Sequence, residues 1–503
     1  MLWDEPKIFF LERRYFFSII LSEFLKNRVA LQTPNQITML IILIAYMAVV
    51  LAVGLYASRR VKGSEDFLLA GRSMGLFVLV GTLCATQLGG GNIIGTSTNG
   101  YNQGLSGMTF GVSTGLAMLV LGLLMAKPMR KMGLCTISDF VYNRYQSNTA
   151  RVLTSVFSFA ALVGILAAQV GAISKVLTVF GINTTVAAVI AICVIILYTA
   201  FSGMWGVALT DVIQLIVIFI GVPLTTFIGL IKIGGWSGLV EKLSTMNVPG
   251  GIDTYMSPTG IGLAAMASIA LPMIAYEIIG QDFYQRLLSA KNERIAKTGC
   301  IIAGCILMAM GVNSAIDGML ARAFLGDTLT EVSAIASLAV EVLPTVAAGI
   351  VIAALCAAVM STADSLLLAC TSHVVNDIYL GAMGKSASDE KSSKTILRMS
   401  VVTTVVVGIA SLFVALAIPG IIEILDYAYT FYASGLVAPV LLGLFWKKGN
   451  ALAAVSSIVV GGVVSLLRVF GILPIPVDAI IVGMSASFID YVVVALVTGK
   501  KEG

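Results

Sequence analysis

Residues 357–365 read Ala357-Ala358-Val359-Met360-Ser361-Thr362-Ala363-Asp364-Ser365, and this stretch decides the fold class. It puts three hydroxyls and one carboxylate inside an apolar run that extends from about Thr345 to Cys370. A run of that length crosses a bilayer as a helix, which needs about 20 residues. Oxygen-bearing side chains at membrane depth are costly and mark an ion or solute path. Hard cations such as Na⁺ take oxygen ligands, which Ser, Thr, Asp and unpaired backbone carbonyls supply.

The rest of the chain has the same character. Of 503 residues, 58% are hydrophobic and 11% charged, against roughly 25% charged in a soluble domain. Long apolar runs satisfy their backbone groups in lipid only as helices or closed barrels, and the short alternating segments of a barrel are absent. The fold class is therefore an all-α polytopic membrane protein. Thirteen spans are expected, at about 37–57, 75–99, 106–127, 148–178, 184–201, 205–231, 259–283, 297–324, 345–371, 397–418, 420–446, 450–472 and 475–498. With that count, one set of loops holds 21 Lys and Arg and the opposite set five. The basic set is cytoplasmic by the positive-inside rule, which puts the N-terminus outside and the C-terminus in the cytoplasm of a plasma-membrane protein. The net charge of +5 reflects those loops and says little about partners; no nucleic-acid partner is expected. The expected partners are the lipid bilayer and a small organic solute, with the oligomeric state left open.

Residues 1–36 are mixed-charge and aromatic, with an apolar patch at Tyr15–Leu21 too short to span. They read as an N-terminal extension, with Met39 preferred as the native start over an interfacial helix. The membrane domain is then 37–498 and the cytoplasmic tail 499–503. The seven cysteines fall mostly in apolar runs and read as small buried hydrophobes. The single histidine, His373, reads as an interfacial residue at the end of a span.

Two spans are irregular. The second is interrupted by Gly89-Gly90-Gly91-Asn92, and glycine costs about 1 kcal/mol relative to alanine in a helix while letting a ligand approach the backbone. The seventh carries Pro272, Tyr276, Glu277 and Gly280. Irregular spans five apart suggest two five-helix repeats, 75–231 and 259–446, with the binding site between them.

Four motifs then resemble the sodium/solute symporter family. They are Ser64-Glu65-Asp66-Phe67-Leu68-Leu69-Ala70-Gly71-Arg72; Thr136-Ile137-Ser138-Asp139-Phe140 with Arg144-Tyr145; Tyr198-Thr199 through Ser202-Gly203-Met204 to Thr210-Asp211 and Gln214; and residues 357–365. Ser202 stands where the family has a Gly-Gly pair. The resemblance covers about residues 37–446. It implies a leucine-transporter-type 5+5 inverted-repeat core and Na⁺-driven uptake of a small polar organic solute by alternating access. It implies a first Na⁺ site from the carbonyls of Ala85, Leu88 and Ala358 and the hydroxyls of Ser361 and Thr362. It also implies a second Na⁺ site from Asp211, Asp364 and Ser365, next to Ser361. Gln87, Asn92, Tyr276 and Glu277 are the expected solute contacts. Glu277 departs from the family; it suits an ammonium group, pairs with Arg286 or takes up a proton. The glycine run and Tyr284-Gln285-Arg286 resemble the choline branch, although Gln87 and Asn92 replace its aromatic residues. The proline and pantothenate branches share much of the 357–365 motif. The alternatives are an H⁺-coupled symporter, with Glu277 or Asp211 as carrier, and a transporter-like nutrient sensor. An enzyme is not expected.

Overall fold

The computed structural model describes residues 34–58, 68–199, 203–327, 329, 333–382, 384, 390–418 and 420–498. Residues 1–33, Ser64–Phe67, Ser202 and the 499–503 tail lie outside the described residues. Helices account for nearly all of the structure. The exception is one isolated backbone bridge, Met74 to Ala290, with Met74 N–H donating to Ser289 O at 3.1 Å.

The principal helices are α1 Pro34–Ser58, α2 Leu76–Gln87, α3 Thr96–Gln103, α4 Thr109–Val120, α5 Ile137–Tyr145, α6 Asn148–Leu177, α7 Thr184–Thr199 and α8 Gly203–Ile233. They continue as α9 Leu263–Ile279, α10 Gln281–Ser289, α11 Glu293–Leu325, α12 Thr345–Ser372, α13 Glu390–Ala417, α14 Ile421–Phe445, α15 Ala451–Val469 and α16 Ala479–Thr498. Among the described residues, ten helices are long and apolar enough to cross a membrane, or 11 when the bent α9–α10 pair counts as one. The expected thirteen are not recovered. Two of the expected spans are represented by shorter apolar helices, Leu76–Gln87 and Thr184–Ile196. α1 begins at Pro34, inside the expected extension, and Gln36 Nε2 donates to Val179 O at 3.2 Å.

α12 is the centre of the bundle. Its span is 83% buried, against 22% for α1. It packs on α1, α2, α6, α7, α8 and α13, and α14 also packs on α6. A buried helix packs against other helices rather than lipid, and α12 accordingly has Ala as its commonest residue and no Phe. The same logic explains the α4–α11 seam, where Gly111 lies against Gly311 and Gly115 against Gly304, so two backbones approach closely.

Both expected irregularities are real breaks. α2 stops at Gln87, Gly89 is extended, and a wide helical turn over Gly90–Gly95 leads into α3. α9 and α10 meet at Gly280 with a bend of 44°. Chain ends of helices, with their unpaired backbone groups, are thereby carried into the middle of the bundle.

Candidate functional site

The broken end of α2 leaves its last carbonyls without helical partners. Leu88 N–H satisfies Cys84 O at 2.8 Å, and the next two carbonyls are met by α12. The Ser361 hydroxyl reaches Ala85 O at 2.7 Å and Ala358 O at 2.9 Å. The Thr362 hydroxyl reaches Thr86 O at 2.7 Å and Ala358 O at 3.2 Å. Leu88 is buried beside them, and a side chain on Gly89 would strike the Thr362 hydroxyl and lie 2.8 Å from Gln169 Oε1. Four of the five expected first-site residues are thus joined by hydrogen bonds, and Leu88 adjoins them. Thr86 is an addition. These oxygens carry no net charge, and the α2 carbonyls sit at the negative end of a helix dipole, an arrangement that suits a monovalent cation.

The expected second-site residues are placed differently. Asp211 Oδ2 accepts from the Thr82 hydroxyl and from Arg286 Nη2 at 3.4 Å. Ser365 Oγ accepts from Arg286 Nη2 and lies 3.0 Å from Thr86 Oγ1. Asp364 instead accepts from Thr199 on α7. Arg286 is fully buried, although its sequence position placed it among the loop bases; the loop count becomes 20 against five.

A cavity lies against the α2 break, lined by Gln87, Gly89, Gly91, Asn92, Phe110, Thr114, Gln169, Tyr276, Asp282, Thr362 and Tyr429 among others. It leaves about 20 Å³ for the centre of a water molecule to move in, room for one or two waters and no organic solute. Tyr276 stacks on Tyr429 with ring centres 4.4 Å apart and donates to Asp282 Oδ1 at 2.8 Å. Asn92 Nδ2 donates to Thr114 Oγ1 at 2.5 Å, and Gly90 N–H to Gln169 Oε1 at 2.8 Å. Glu277 sits behind this wall, accepting from Gln87 Nε2 at 2.9 Å rather than pairing with Arg286. Glu277 Oε1 and Asn92 Oδ1 are buried without a hydrogen-bond partner among the described residues. A second cavity of about 350 Å³, lined by Ser268, Pro272, Glu423 and Asp426, shares Phe110 and Tyr429 with the first.

Sequence reasoning missed Gln169, Thr114, Asp282, Tyr429 and the partnership of Arg286. Gln169 and Asp282 had a readable signal, a lone amide in the apolar run of α6 and a carboxylate just past Gly280. Tyr429 had none, because an aromatic residue in a membrane helix is ordinary. His373 is not exposed at a surface: it is fully buried, with Nδ1 2.7 Å from Asp377 and Nε2 2.6 Å from Ser158. Two stretches, Gly71–Gly75 and Gly111–Gly115, have the G-x-S-x-G spacing of serine hydrolases. Neither is a strand-to-helix elbow: Ser73 donates to Ala70 O and Ser113, inside α4, to Thr109 O.

The model of the sodium:solute symporter family matches residues 67–461. The chain belongs to this family. It is 31% identical over 443 residues to the sodium/pantothenate symporter of Escherichia coli (strain K12), covering 85% of this chain and 90% of that one. It is 32% identical over 403 residues to the high-affinity choline transporter 1 of Drosophila melanogaster, covering 75% and 62% respectively. Its fold is similar to that of a Na⁺-coupled sialic acid symporter in a substrate-bound outward-open state, with a TM-score of 0.74 at 19% identity, covering 92% of this chain and 98% of that one. The chain is therefore a multi-pass Na⁺-coupled symporter of small solutes with a leucine-transporter-type fold, and its relatives are transporters rather than enzymes.

Proposed function

We propose that this symporter imports a small polar organic solute bearing an amine, held between the α2 break and the α9–α10 break, with one Na⁺ bound by Ala85, Leu88, Ala358, Ser361 and Thr362. The observation that carries this reading is Thr362, which both joins the α2 carbonyls and lines the cavity. An ion drawn to the Thr362 hydroxyl fixes the α2 break, and that break positions Gln87 and Asn92 for the solute. Ion and solute binding are then coupled through shared residues, and each tightens the other by the same factor.

The chemistry of the lining favours an amine. Asp282 supplies a carboxylate, Gln87, Asn92 and Gln169 supply amides, and Tyr276 and Tyr429 supply ring faces. No Lys, Arg or His lines the cavity among the described residues. A protonated amine finds a counter-charge and π-faces there, and its apolar remainder packs on the rings. The solutes named for the relatives, pantothenate and choline among them, differ too much to choose one.

The wider architecture follows the same reading. Segments 75–231 and 259–446 act as inverted repeats, each opening with a broken helix. On the thirteen-span reading the loop charges support an N-terminus outside and a C-terminus in the cytoplasm, and the larger cavity beyond Phe110 and Tyr429 then faces outward. Uptake of a panel of radiolabelled amines, zwitterions, sugars and carboxylates into proteoliposomes tests this. Accumulation of an amine-bearing solute only under an inward Na⁺ gradient is expected. Accumulation driven equally by a proton gradient, or confined to carboxylates, would overturn it.

A further inference from the structure

The Tyr284-Gln285-Arg286 motif brings a permanent cation into the middle of the bundle. Arg286 is held by each of its three nitrogens. Nε donates to Thr82 Oγ1 at 2.9 Å, Nη1 to Asp282 O at 2.9 Å, and Nη2 to Ser365 Oγ and to Asp211 Oδ2. Thr82 donates to the same oxygen of Asp211, so Arg286, Thr82 and Asp211 form a closed ring of contacts. Asp211 and Ser365, on α8 and α12, are two of the three residues expected to hold a second Na⁺. The third, Asp364, is engaged with Thr199 on α7 instead.

A guanidinium and a Na⁺ carry the same charge and bind the same carboxylate and hydroxyl lone pairs. They compete for one place. The arginine is tethered, so it does not dissociate, and it does not lose its proton in proteins. We infer that Arg286 is a resident cation that takes the second ion position, so that the carrier binds one Na⁺ per transport cycle. The inference rests on the reading of Ser361 and Thr362 as the Na⁺ site. It also gives Arg286 a positioning role there. Ser365, which it holds, lies 3.0 Å from the Thr86 hydroxyl, and Thr86 O receives the Thr362 hydroxyl. Shortening Arg286 would leave Asp211 Oδ2 with Thr82 alone, while Oδ1 is already without a hydrogen-bond partner among the described residues.

Equilibrium binding of radiolabelled Na⁺ to the purified full chain in lipid nanodiscs tests this. The native chain is expected to bind one Na⁺ with a hyperbolic isotherm. Arg286→Gln is expected to bind two, with a Hill coefficient above 1, and adding Asp211→Asn to it returns the count to one. Arg286→Lys keeps the charge and stays at one. Two Na⁺ on the native chain, or one on a folded Arg286→Gln chain, would overturn the inference. Should Arg286→Gln not fold, the counts for the native chain and for Arg286→Lys decide: one on each supports the inference, and two on either overturns it. Failure of the underlying reading looks different: Na⁺ would remain bound with native affinity to the Ser361→Ala, Thr362→Ala double variant.

Discussion

α12 has two polar regions, and they are built to opposite ends. In its middle, Ser361 and Thr362 meet backbone carbonyls of the broken α2, with neutral donors and neutral acceptors. Each such bond contributes only about 1 kcal/mol and is readily exchanged for another partner. Beyond its end, in the helical segment His373–Ala382, the contacts are charged. Asp377 accepts from Thr136 at 2.6 Å and Ser155 at 3.0 Å, lies 2.7 Å from His373, and has Arg151 3.7 Å away. Arg151 in turn contacts Asp139 at 2.5 Å, and Asn376 donates to Asp139 at 3.0 Å. The middle can change partners when an ion arrives. The end fixes α12 to α5 and α6, so that rearrangement in the middle has an anchored frame to work against.

Breaking the anchor has the largest expected effect. Asp377→Ala leaves Arg151 and His373 buried beside an empty place, and losing one partner of a buried charge network costs about 3–5 kcal/mol. Thermal unfolding of the purified protein should show a large drop in melting temperature without Na⁺. A drop no larger than that of Ser361→Ala would erase the contrast between the two regions.

The middle should respond to ion rather than to heat. Gly89→Ala drives a methyl group into the Thr362 hydroxyl, and the half-saturating Na⁺ concentration for transport should rise tenfold or more. Ser361→Ala and Thr362→Ala each remove one oxygen from a small dry shell and should have a similar effect on Na⁺, with folding stability lowered by about 1–3 kcal/mol, the cost of leaving one buried carbonyl without its donor. Native Na⁺ dependence in all three would mean that these hydroxyls cap α2 and nothing more.

A smaller change is expected one step further from the ion. Tyr276→Phe keeps the stacking on Tyr429 and loses the hydrogen bond to Asp282. Solute half-saturation should rise about threefold to tenfold, the range of a single hydrogen bond, with Na⁺ half-saturation following by no more than the coupling between the sites. A larger shift for Na⁺ than for solute would place Tyr276 in the ion pathway.

The two regions also differ in how far they could be read from residues alone. Ser361, Thr362 and the glycines of α2 stand out because hydroxyls and helix-breaking residues in apolar runs are locally anomalous. Their meeting across α2 and α12 followed from a resemblance that carries its own geometry. Asp211 was equally visible as a costly carboxylate, but its partner was not. Arg286 lies on another helix 75 positions later, beside loop bases of the same type. Sequence shows which groups need a partner, and only the packed bundle shows which partner they take. The burial of His373 went unseen for the same reason, since its place at a span end gave no hint of Ser158 on α6. The span count differs on another ground: of the thirteen expected spans, two register only as shorter apolar helices, α2 because it stops before the glycine run and α7 because its described part ends at Thr199.

The most direct test of Na⁺ binding at the α2–α12 crossing needs no knowledge of the solute. It compares the melting temperature of the purified protein in NaCl with that in KCl at equal ionic strength, for the native chain and for the Ser361→Ala, Thr362→Ala double variant. A bound ion at 100 times its dissociation constant stabilises the fold by about 2.7 kcal/mol. A rise in NaCl over KCl is expected for the native chain, and no such difference for the double variant. Equal melting in the two salts for the native chain, or an undiminished Na⁺-specific rise in the double variant, would contradict Na⁺ binding at this crossing.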